Sequence, residues 1–262
     1  MSGFLTSLVA ALAVAGVVAV LARRFPARVA PDDGPSLEEL KPRFARVEGL
    51  AAAVYLVTAA VLTLPIWWVL ATGAELRAAL LPDAEHTLIV LSLYWVIPAM
   101  FLALVAAAVP TTAVLRRRLG AAYRDYERYT ALKARYDARQ VLRILVPLVG
   151  AGCGVMIVLG LDFYLLIARD AIVINRYFSL GEERHALVDL VEVRTAPAFT
   201  APNGNTVHRR LYVLVFADGS RYATSYLPRD PTPAEQRVMF TELARRAGRP
   251  VVEVPIFTRA DL

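Results

Sequence analysis

Residues Val141–Phe178 read VLRILVPLVGAGCGVMIVLGLDFYLLIARDAIVINRYF. The first half, 141–161, is an apolar run, with Arg143 near its start, close to the roughly 20 residues that a helix needs to cross a hydrocarbon core. The second half holds two short β-rich segments, 163–168 and 171–179, parted at Arg169-Asp170, which is a hairpin pattern. Gly160-Leu161-Asp162 is therefore the join between a membrane region and a water-soluble domain, with almost no slack between them.

Upstream of this join lie three more apolar runs, Gly3–Ala22, Gly49–Thr72 and His86–Val109. Four spans are predicted, and composition agrees: 57% of the 262 residues are hydrophobic, 20% are charged, and mean hydropathy is +0.50. That is more apolar than an ordinary soluble protein. No basic segment precedes Gly3–Ala22, and Arg23-Arg24 follows it, so it reads as an uncleaved helix rather than a signal peptide. Ala11, Ala15 and Ala19 give it a small-residue packing face, and Gly150-xxx-Gly154 gives the fourth run another, explained by packing within the bundle. Pro65 and Pro98 read as kinks, and Trp67-Trp68 as an interfacial belt. Over 25–47 the prolines Pro26, Pro31, Pro35 and Pro42 argue against a long helix, leaving a short surface helix at Ser36-Leu37-Glu38-Glu39.

The net charge of +6 does not point to nucleic acid, because the excess sits beside apolar runs. Arg23, Arg24, Arg28, Lys41, Arg43 and Arg46 fall between the first and second runs, and only Arg77 between the second and third. Arg116, Arg117, Arg118, Arg124, Arg128, Lys133, Arg135, Arg139 and Arg143 gather around 110–140, before and at the start of the fourth run. Positive loops stay in the cytoplasm, so 23–48 and 110–140 are expected inside, with both termini and the C-terminal domain outside. In the 110–140 loop, Tyr123, Tyr126, Tyr129 and Tyr136 recur among Arg and Lys. Two readings stand. Arg116, Arg117, Arg118, Tyr123 and Tyr126 form a lipid-facing surface helix, or the segment is a solvated helical extension whose tyrosines pack on neighbours.

The region 162–262 is β-rich and ends in a helix. Leu187–Thr195 reads as a strand, 196–207 as a loop turning at Asn203-Gly204, and 211–217 with 220–226 as a hairpin about Asp218-Gly219. Thr232, Pro233 and Glu235 make a capping box, Phe240, Leu243, Ala244 and Ala247 share one helix face, and Gly248 ends the helix. Val251–Val254 reads as a last strand. Taken together, FYLLIARDAIVINRYF (163–178), HALVDLVEVRTA (185–196), LYVLVFADGSRYAT (211–224) and PAEQRVMFTELARR (233–246) resemble the bacterial PH-like domains. The resemblance covers about 162–250 and none of the spans. It implies a small β-barrel or sheet closed by a C-terminal helix, in a bacterial protein attached to the plasma membrane. About five strands precede the helix where that family commonly has seven, so either one more is hidden within 196–207 or the sheet is smaller. The family has no shared catalytic motif, so no site residue is carried over.

Overall, the fold class expected is α+β: four membrane helices over 1–161, then the soluble domain 162–262. An enzyme is not expected, and neither is a cofactor. His86, His185 and His208 lack ligand spacing, the lone Cys153 sits in an apolar run, and no Gly-x-Ser-x-Gly occurs. A transporter needs charge deep in a span, whereas Glu48, Arg143 and Asp162 fall near predicted ends. The favoured expectation is a membrane-anchored module that contacts membrane lipids and an unidentified membrane or envelope protein, or associates with itself. Arg176, Arg209, Arg210 and Arg221 are its candidate interaction patch, against a reading of solvated strand-face charges. A lipid-binding module and a small transporter-like protein are the alternatives.

Overall fold

A computed structural model describes residues 34–81, 84–89, 92–179, 181–201, 203–224 and 233–258, together with 16, 19–20, 23–26 and 261. The expected first span, Gly3–Ala22, and the expected cap Thr232 lie almost wholly outside the described residues. The fold is α+β, with helices first and sheets last. Three helical stretches, Leu37–Ala79, Leu93–Ala134 and Gln140–Asp162, are long and apolar enough to cross a membrane.

Helix α1 (Leu37–Ala79) opens with a reciprocal capping box. The Glu39 amide donates to Ser36 Oγ at 3.4 Å, and the Ser36 amide to Glu39 Oε2 at 3.3 Å. The short helix expected here runs on through the span instead. Pro35 precedes the cap and does no harm, and Pro42 removes one backbone bond while Leu40 and Phe44 on either side are buried. Helix α2 (Val96–Leu119) presents Ala99, Ala103 and Ala107 as a fully buried stripe, the close-packing pattern of membrane helices. Helix α3 (Tyr123–Ala134) lies within the expected basic loop, and α4 (Ala138–Asp162) carries the fourth run. Around Gly150, Gly152 and Gly154 no described atom lies within 4 Å of an added Cβ, so packing among the described helices does not explain that motif.

One expected span is corrected. The run 86–109 begins as strand β1 (Ala84–Ile89), followed by a tight turn at Ser92–Trp95 before α2. The reason is pairing. β1 aligns antiparallel with β2 (Tyr164–Ala168), placing Thr87 opposite Leu166 and Leu88 opposite Leu165. An edge strand supplied from between two helices satisfies the backbone of β2, whose side chains are buried on both faces.

The remaining strands are β3 (Ala171–Asn175), β4 (Glu182–Ala186), β5 (Leu190–Ala196), β6 (Phe199–Thr200), β7 (Thr206–Val207), β8 (Leu211–Phe216), β9 (Arg221–Ala223) and β10 (Val251–Glu253), with α5 (Pro233–Ala247) before the last. One sheet has the order β1-β2-β3-β4 and the other β10-β5-β8-β9, with β10 parallel to β5, while β6 and β7 form a separate ribbon within the expected loop. The described strands do not close into a barrel. Leu165, Ile167, Ile172 and Ile174 of one sheet share a core with Leu190, Val193, Tyr212, Leu214 and Phe216 of the other. Met239, Phe240, Leu243 and Ala244 of α5 complete it. The turn Asp218-Gly219 forms as expected, with Gly219 at φ 82° and the Phe216 amide bonded to the Ser220 carbonyl at 3.0 Å.

By packing, the chain divides into two units: Met1–Trp67 with Pro98–Gly154, and Trp68–Ile97 with Val155–Leu262. The second unit thus takes in the last turns of α1 and α4 as well as the strands. Only Phe163 separates α4 from β2, and its amide still bonds the Leu159 carbonyl at 3.0 Å. The join is as tight as its sequence reads.

Candidate functional site at the helix–sheet junction

Where α1 ends, α4 passes into β2 and the β3–β4 turn returns, a set of polar and aromatic side chains converges within the second unit. Arg77 and Asp162 face each other at 3.5 Å, with side chains 40% and 47% exposed. Such a pair contributes at most about 1 kcal/mol, so it fixes position more than it adds stability. The Arg77 guanidinium also lies 5.7 Å from the Tyr164 ring centre. The Tyr164 hydroxyl donates to the Glu182 carboxylate on edge strand β4. Burial, reinforced by that carboxylate, pushes the Tyr164 hydroxyl up to about 12. A hydroxyl that holds its proton this firmly orients groups and does not act as a base.

Beside this line lies an aromatic collar. The Tyr94 hydroxyl bonds the Met156 carbonyl at 2.7 Å and the Tyr177 hydroxyl. The Tyr94 ring meets Trp95 edge-on at 5.1 Å and Tyr177 at 5.9 Å, and Tyr177 in turn meets Phe163 at 6.0 Å. Gly160 lets the collar approach: a Cβ there would stand 2.6 Å from Tyr94 Cε1 and 2.9 Å from Trp95 Cη2. Arg77, Tyr94, Gly160 and Tyr177 were not among the expected site residues. For Tyr94 and Tyr177 the only signal was an aromatic residue in or beside an apolar run, while Arg77 and Gly160 read as a loop charge and as part of the join.

The four expected patch arginines separate into two pairs. Arg176 chelates Glu183 at 3.0 and 3.1 Å, donates to the Arg221 carbonyl at 3.3 Å and lies 5.9 Å over the Tyr222 ring. It bridges the two sheets with its charge already matched. Arg209 and Arg210 precede β8, at the opposite end from Arg221, which pairs with Val215, and Arg210 meets Glu253 at 3.2 Å. Of the other expected set, Arg116, Arg117 and Arg118 are exposed at the end of α2, with Arg116 over the Tyr123 ring at 5.2 Å. Tyr126 is buried with Phe44 and Tyr129, the packed alternative for these tyrosines. Glu48 accepts from the Tyr129 hydroxyl at 3.0 Å and from Lys133 at 2.6 Å, while Arg143 is exposed.

His185 stacks on Phe216 at 3.8 Å and stands 3.9 Å from the Asp218 carboxylate. Among the described residues, no three His, Cys, Asp or Glu side chains are grouped to hold a metal ion. Comparison of the chain with protein-family models, with curated proteins and with solved structures yields no match.

Proposed function

We propose that this chain is a non-enzymatic, multi-pass protein of a bacterial plasma membrane. Its PH-like β domain is held at the outer surface to contact an unidentified membrane or envelope protein, or a second copy of itself. The observation that carries this reading is β1. A strand supplied from between two apolar helices completes the domain's sheet, so the domain is joined to the helices through β1 as well as through α4. The PH-like assignment rests on the sequence resemblance over about 162–250. The exposed apolar faces at Leu56, Leu64 and Trp68 support contact with lipid. A transporter role has less support, because no charged side chain is buried among the described residues.

Among the described strands, β4 is the outer edge of its sheet, with Glu182 and Arg184 exposed. An edge strand offers unpaired backbone groups to a partner, and flanking charges select which partner docks. A photo-crosslinking residue at Arg184, in the native membrane, should give a discrete protein adduct, while the same residue at Leu64 gives none. Absence of a protein adduct at both Glu182 and Arg184 would sink the interaction reading.

Orientation has its own test. Arg77 is the single basic residue of the expected 73–85 loop, on the side of β1, so positive-inside logic puts the sheet outside the cytoplasm. Alkaline phosphatase fused after Leu262 should be active, and an inactive fusion alongside a fluorescent green-protein fusion would reverse the topology.

A further inference from the structure

The collar fixes how deep the domain reaches. Asp162 and its partner Arg77 mark the water side of α4. Met156 lies six residues earlier, which at ~1.5 Å per residue puts its carbonyl about 9 Å farther along the helix. The polar head-group zone on one side of a bilayer is only about 5–8 Å thick. The Tyr94 hydroxyl bonds that carbonyl, and the Tyr177 hydroxyl bonds Tyr94. Tyr177 belongs to the β3–β4 turn, so a loop of the β domain descends beside the helix to the level where acyl chains begin.

The next residue, Phe178, packs edge-on against Tyr177 at 4.7 Å and is 85% exposed. Leu93, beside Tyr94, is exposed too. A phenylalanine that open is costly in water and stable at an acyl boundary. Described residues of the turn are also tied together. The Ser179 hydroxyl lies 3.0 Å from the Arg176 and Gly181 carbonyls, and the Ser179 amide bonds the Arg176 carbonyl at 3.0 Å. Little ordering cost remains when the turn meets lipid.

We infer that the β3–β4 turn is a foot of the β domain inserted into the lipid bilayer, with Phe178 at the head-group–acyl boundary. This rests on the membrane-spanning reading of α4 and adds a second attachment, made by the domain itself and independent of β1. Val188 provides an internal contrast. It is 70% exposed and equally apolar, but lies just beyond the Ala186 end of β4, remote from the turn.

The test is a nitroxide label on Phe178→Cys in the full chain carrying Cys153→Ala, reconstituted into liposomes of phosphatidylethanolamine and phosphatidylglycerol. Labels on Val158→Cys, an exposed position on α4 near Met156, and on Val188→Cys serve as references. The Phe178 label should collide readily with oxygen and lose access to a water-soluble nickel chelate, as the Val158 label does, while the Val188 label keeps that access. Nickel access at Phe178 equal to that at Val188, with Val158 shielded, overturns the foot and leaves the spans standing. Nickel access at Val158 as well overturns the membrane-spanning reading, and the foot with it.

Discussion

Phe240→Ala should destabilise the β domain by about 3–5 kcal/mol, the usual cost of emptying a buried aromatic site. Phe240 is 1% exposed and stacks on Tyr212, with ring centres 4.5 Å apart, where α5 closes the gap between the two sheets. A domain's whole stability is about 5–15 kcal/mol, so one truncation removes a large share of it. The effect should be local. In detergent-solubilised protein, amide hydrogen exchange in β5 and β8 should rise steeply while α1, α2 and α4 keep their protection. Phe240→Leu, which keeps most of the volume, should cost much less. Unchanged protection in β5 and β8 of the alanine variant would mean that α5 does not close the core.

Gly160→Ala is the second large effect, opposite in kind. A single added carbon overlaps two rings that cannot turn aside. Tyr94 is held through its hydroxyl by Met156 and Tyr177, and Trp95 is only 1% exposed. Overpacking of this sort costs about 1–3 kcal/mol, and Gly160→Leu should exceed it. Near-ultraviolet circular dichroism, sensitive to Trp95, should change, and combining Gly160→Ala with Tyr94→Ala should recover part of the loss. Gly150→Ala is the control. Its Cβ meets open space, so only the better helix propensity of alanine should be felt. Equal behaviour of the two glycine variants would refute the close approach at Gly160.

How much of this was legible in the sequence depends on whether the signal was local. The passage of the fourth run into a strand could be read from apolar length followed by β-rich alternation, and α5 from its buried face. β4 could not. Its sequence, EERHA, has no apolar alternation, and it is a strand because β3 lies beside it. β1, AEHTLI, merges into an apolar run, and only its distant partner at 164–168 distinguishes it from the start of a helix. The partners of the patch arginines were hidden for a similar reason. Spacing along the chain did not reveal that Arg176 had Glu183 and Arg210 had Glu253. The collar depends on Tyr94, Gly160 and Tyr177 meeting across more than sixty residues, which no window of sequence contains.

The borrowed strand has a consequence for biogenesis. β1 is made about 80 residues before β2, which at roughly 5–20 residues per second is several seconds earlier. The helical hairpin is then in place, holding a template for the next strand to join as it emerges. A fragment starting at residue 162 has no such template. Its β2 would present an unpaired, doubly apolar edge, with Tyr164 and Leu166 uncovered, an arrangement that invites aggregation. The strand between α1 and α2 thus completes the sheet from outside the 162–262 region.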